Sequence, residues 1–155
     1  MKKLTRPRAP KKSTLNKTSQ QKTKRQHAAS APRPSSHHVS KGFRTFDAFY
    51  SWLERHHAKK HELWVRIYKK SSGKKSTDWQ TSVRAALCWG WIDSIVRSVD
   101  ETCYIQRFTP RRPKSIWSKK NRQNVKDMIA AGKMREPGMA HVRSARKDGR
   151  WAAAY

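Results

Sequence analysis

The chain has 155 residues, with 37 Lys and Arg against 10 Asp and Glu and a formal charge of +27. That length supports one core rather than two. No apolar run approaches the roughly 18 residues of a membrane span, and so large a self-repulsion is best tolerated against a polyanion, with nucleic acid the first to consider.

The charge is carried by two differently built regions. Met1 to Phe46 holds 13 basic residues and no acid, and the remainder holds 24 bases and all 10 acids. Within residues 1–42 the apolar side chains are Met1, Leu4, Leu15, Val39 and a few alanines, and Pro7, Pro10, Pro32 and Pro34 interrupt any helix. Such a segment buries too little surface to offset chain entropy and is expected to be a disordered basic arm. Three roles fit it: a solvated tail, a Ser-rich and acid-free targeting segment, or an arm that orders along phosphates. From Met1 to Phe46 lysine outnumbers arginine by 8 to 5, and the prolines break any amphipathic face, against the second role. The basic domain that follows favours the third, with Lys11, Lys12, Lys22, Lys24 and Arg25 as candidate contacts.

From Phe43 the pattern becomes that of packed elements. In TFDAFYSWLERHH, Phe46, Phe49, Tyr50 and Leu53 recur at helical spacing after Thr45, a good N-cap. ELWVRIYKK alternates Leu63, Val65 and Ile67 with Trp64, Arg66 and Tyr68, which predicts a strand with one buried face. SSGKKS connects it to a second helix, TDWQTSVRAALCWG, with Trp79, Val83, Ala86 and Leu87 on one side and Gly90 at its end. IDSIVRSV and CYIQRF read as two strands joined at Asp100, Glu101 and Thr102. A third helix begins near Ser118 and stops at Gly132, and Pro137 opens a fourth that ends at Gly149. The order predicts an α+β domain over 43–155, with helices flanking an antiparallel sheet.

Four blocks, LCWGWIDS, QRFTPRRPKSIWSKKN, AAGKMREPGM and ARKDGRWAAAY, together resemble the bacterial YdeI/OmpD-associated family, also labelled bacteriocin-protection proteins, in which similar blocks follow in this order. The resemblance covers about Phe43 to Tyr155 and implies a compact α+β domain while supplying little chemistry. The chain departs from the family at Val83, Arg84 and Ala85, where members carry acids, and in its added basic arm.

The richest candidate site is RFTPRRPKSIWSKKN. Arg107, Arg111, Arg112 and Lys114 can donate to phosphate, with Lys119 and Lys120 adding charge, and Ser115, Ser118 and Asn121 offer neutral donors around a helix N-terminus. Tyr104, Phe108 and Trp117 are candidates to stack on exposed bases. Alternatively, Phe108 and Trp117 belong to the core and the arginines pair with Asp93 and Asp100. Asp93 has no second acid or nucleophile at a recognisable spacing, which argues against catalysis. His57 and His61 have a helical metal-ligand spacing, but Lys59 and Lys60 beside them oppose a cation. Gly73 lacks the first glycine of a phosphate-binding loop. Cys88 and Cys103 form no C-x-x-C motif, so neither a zinc knuckle nor a disulfide framework is indicated.

These features predict a non-enzymatic RNA-binding protein without a cofactor. Its expected partners are ribosomal RNA and neighbouring ribosomal proteins rather than a membrane, in the cytoplasm or an organelle matrix. Two other readings stay open: a stress or bacteriocin-protection protein that binds a small anion, and a DNA-binding nucleoid protein.

Overall fold

The structure is a computed structural model and describes residues 39–155. The arm residues Lys11, Lys12, Lys22, Lys24 and Arg25 lie outside the described residues. The elements are β1 (Ser40–Gly42), α1 (Phe46–His56), β2 (Leu63–Tyr68), α2 (Trp79–Cys88), β3 (Trp91–Ser98), β4 (Cys103–Pro110), α3 (Lys119–Ala130) and α4 (Glu136–Lys147). One 3-10 turn, Lys70–Ser72, follows β2.

The domain is α+β, as its pattern predicts, but the sheet is mixed rather than antiparallel. Its order is β1-β2-β4-β3, and β1 runs parallel to β2 while the other pairs are antiparallel. The folded unit therefore includes Ser40–Gly42 and starts before Phe43. These three residues, Ser, Lys and Gly, lack the apolar alternation that marks a strand, and only the pairing with Trp64, Val65 and Arg66 reveals them.

Directly opposed residues share a face of a sheet. Leu63 and Phe108, Val65 and Gln106, and Ile67 and Tyr104 are such pairs, and Phe108 meets Phe49 of α1 with ring centroids 5.3 Å apart. This is the face toward the helices. The other face carries Trp64, Arg66, Cys103, Ile105 and Arg107, and Trp64, Cys103 and Ile105 on it are buried. The expectation of a single buried face on β2 is thus corrected: Trp64 is buried opposite the core, with the Arg97 guanidinium 5.1 Å from its ring.

Capping residues set the helix starts. Thr45, Asp78 and Ser118 each accept a hydrogen bond from the backbone N–H three residues on, which satisfies one of the orphan donors of a first turn. Gly90, at φ 74°, ends α2 in a left-handed conformation. Gly138 is required by close packing: a Cβ there would fall 2.4 Å from the Leu87 carbonyl oxygen, so only glycine lets α4 cross the end of α2.

Candidate nucleic-acid interface

The basic loop after β4 divides into an inner and an outer half. Arg111 is 6% exposed, its guanidinium lies 3.8 Å over the Trp117 ring, and it donates to the Ile116 carbonyl. Its backbone N–H is held by the Gly90 carbonyl at 2.8 Å. Burial, followed by the charge of Arg150, lowers its pKa to about 10, which leaves it cationic at neutral pH. Trp117 is 2% exposed and packs edge-on against Trp151 at 5.0 Å. Two site assignments are corrected here: Arg111 and Trp117 form an internal cation-π pair that shapes the loop, and Trp117 presents no face to a base. Phe108, at 0% exposure, is likewise core.

The remaining residues of that stretch separate in the same way. Arg107 pairs with Glu62 at 2.7 Å rather than with Asp93 or Asp100. The Ser115 carbonyl accepts from Arg150 at 2.8 Å, and its buried hydroxyl has no partner among the described residues. Ser118 spends its hydroxyl as the cap, accepting the Asn121 N–H at 3.1 Å. The N–H groups of Lys119 and Arg122 are also taken, by the carbonyls of Tyr155 and Ser118. The Arg122 bond is the regular first bond of the helix, but with two of the three first-turn amides, those of Lys119 and Asn121, satisfied, the helix terminus has less to give an anion than its sequence suggests. Arg112, Lys114, Lys119 and Lys120 are exposed, as are Lys126 on α3 and the apolar Ile116 between them. They are the outward half of the loop.

A second feature has no motif in the sequence. The helix layer stops at Trp79, the first residue of α2, and the sheet beyond it is left open over Tyr104, Gln106 and Val96. These residues, with Asp93 and Ser94, line a groove of about 350 Å³, within the roughly 300–1,000 Å³ of small-ligand clefts. A second groove of about 460 Å³ shares Trp79 and Tyr104 and continues toward Lys69 and Lys70. The Trp79 indole N–H donates to Asp93 Oδ2 at 2.8 Å, and Lys120 Nζ lies 5.1 Å from the same ring. Asp93 thus orients an indole. Gln106, opposed to Val96 across a β-bulge in β3, is 1% exposed, and its Oε1 has no partner among the described residues.

Other sequence candidates are used structurally. His57 Nδ1 is 2.9 Å from the Leu53 carbonyl and its ring packs on Trp89, while the His56 ring packs on Trp52. Among the described residues no group of three His, Cys, Asp or Glu is placed to hold a metal ion. Cys88 and Cys103 are buried free thiols, and burial pushes the Cys88 pKa up to about 12. Among the same residues no helix is long and apolar enough to cross a membrane.

The architecture is therefore a small α+β domain whose basic loop and open sheet end flank the start of α3. A family model described as Domain of unknown function (DUF8412) matches residues 41–141, and the chain belongs to that family. No curated protein and no solved structure matches it.

Proposed function

We propose that this is a non-enzymatic RNA-binding protein that engages structured ribosomal RNA in the cytoplasm through its charged surface. The observation that carries the reading is how the acids are used. Residues 39–155 contain 26 basic and 10 acidic side chains. Of the acids, Asp47, Glu62, Asp127, Glu136 and Asp148 are in ion pairs. Asp78 caps α2, Asp93 holds Trp79 and Asp100 caps the β3–β4 turn. With eight of the ten carboxylates committed to partners within the domain, the basic surplus faces outward, and a polyanion is its natural counter-charge.

A small basic domain after a long acid-free segment is the build of many ribosomal proteins, and this analogy favours ribosomal RNA over DNA. Kinship with the YdeI/OmpD-associated family is part of the proposal, as a shared scaffold. The residues of its four blocks that can be followed here, Gly90, Trp91, Phe108, Trp117 and Gly138 among them, pack or turn the chain. The alternative of a small anionic ligand gains nothing from the groove, whose lining carries the Asp93 carboxylate. Titrating the full chain with ribosomal RNA at increasing salt tests the reading. The logarithm of the binding constant should fall linearly with the logarithm of salt concentration, by about 0.7–0.9 per phosphate neutralised; no binding even at low salt would refute it.

A further inference from the structure

We propose that the groove between Trp79 and Tyr104 is a base pocket, which takes an unpaired, amino-bearing nucleobase of RNA against the Trp79 ring. The inference rests on the RNA-binding reading and adds to it the class of nucleotide and the place where it binds.

Three independent observations converge. The first is exposure: of the seven tryptophans, the other six are at 8% or below, whereas Trp79 is 40% exposed. An indole left open at the end of a helix layer offers a π-face of the kind on which unpaired bases stack. The second is the chemistry of the floor. Gln106 Oε1 is a buried acceptor with no partner among the described residues, and the Asp93 carboxylate lies on the same wall. A buried acceptor left unmade costs the domain stability, and a ligand N–H entering the groove would satisfy it. Two acceptors suit the amino groups of adenine, cytosine or guanine. Uracil has carbonyl oxygens on both sides of its one ring N–H, and they would meet the oxygens of Asp93 and Gln106 in repulsion.

The third observation is the placement of charge. An anion inside the groove is opposed by Asp93, but the rim is cationic. Lys120 stands over Trp79, and Lys69 and Lys70 line the continuous second groove. Lys74 stands over Tyr68, a further wall of that second groove, at 5.2 Å. Neutral donor-bearing ring inside and phosphate outside is the division that a nucleotide presents.

The experiment follows the intrinsic fluorescence of the full chain on titration with short single-stranded homopolymers of adenine, cytosine and uracil, with structured ribosomal RNA in parallel. Adenine and cytosine polymers should quench the Trp79 emission and bind about 10-fold more tightly than the uracil polymer. Trp79→Ala should abolish that quenching and the preference together. Gln106→Leu, which replaces an unpaired buried oxygen by an apolar group of similar size, should keep the fold and erase the preference. Equal binding of the three polymers with no change in Trp79→Ala, or a preference for uracil, would overturn the pocket while RNA binding stands. If neither the homopolymers nor the structured RNA bind at low salt, the pocket and the RNA reading fail together.

Discussion

The loop at 111–121 and the groove at Trp79 are adjacent, and they relate to their sequences in opposite ways. The loop is dense in basic residues, yet its most conspicuous members, Arg111 and Trp117, face inward and satisfy each other. The groove draws its walls from three separate elements, and although Asp93 and Tyr104 can be singled out in the sequence, nothing there brings them together with Trp79. Charge and aromaticity give a segment its capability, but direction is decided by packing. An arginine with an aromatic partner six residues away can be buried at modest cost, because the ring face and a backbone carbonyl replace the water it loses.

That contrast is sharpened most by the two tryptophans. Trp117→Ala should empty a core site and cost about 3–5 kcal/mol, a large share of the roughly 5–15 kcal/mol that holds a domain together. Urea denaturation measures it. Trp79→Ala removes a ring that is 40% exposed and its bond to Asp93, so it should cost less, about 1–2 kcal/mol, while weakening RNA binding about 10-fold. If the costs were reversed, the division into scaffold and surface would be wrong.

Gly138→Ala is next in size. Its methyl group would meet backbone atoms of Leu87 and Cys88 that cannot swing aside, so a destabilisation of about 1–3 kcal/mol is expected, read by the same denaturation. The outward cations should behave differently from Arg111. Neutralising Arg112, Lys114, Lys119 or Lys120 to glutamine should leave the melting temperature in place and reduce the salt slope of RNA binding by about 0.7–0.9 for each phosphate that the variant leaves without a cation. Any weakening seen on removal of Arg111 should instead accompany a fall in melting temperature.

The smallest effect concerns Asp100. Hydrogen bonds from the Thr102 side chain, then from the backbone N–H groups of Thr102 and Cys103, lower its pKa from 3.8 to about 2. A carboxyl whose pKa is lower folded than unfolded contributes stability that is present above the unfolded value and disappears as pH falls through the folded one. The gap in melting temperature between the natural chain and Asp100→Ala should therefore be constant near neutrality and shrink from pH 3.8 down to about 2. A gap that widened with acid would contradict this role of the turn.

The helices and three of the strands were legible in the sequence because their signals are local. Thr45 and Ser118 cap where they are expected to, Gly90 and Gly132 end helices in left-handed conformations, and Pro137 sits in the first turn of α4. β1 was not legible, since its pairing is long-range and its side chains carry no alternation. The loop is half legible: its basic and aromatic residue types show in the sequence, but which of them face outward depends on the Gly90 carbonyl, on Arg150 and on the backbone pairing of Tyr155 with Trp117 and Lys119. The groove could be suspected only from Trp79 heading a helix whose neighbours bury themselves, and Gln106 gave no signal, because an unpartnered amide is a fact of packing alone.

Whether ribosomal RNA neutralises the basic surplus can be read by sedimenting the untagged protein from a low-salt lysate through a sucrose gradient. The protein should travel with ribosomal particles and be released to the top by nuclease or by added salt. Protein that stays at the top from the start, free of nucleic acid, would contradict that neutralisation.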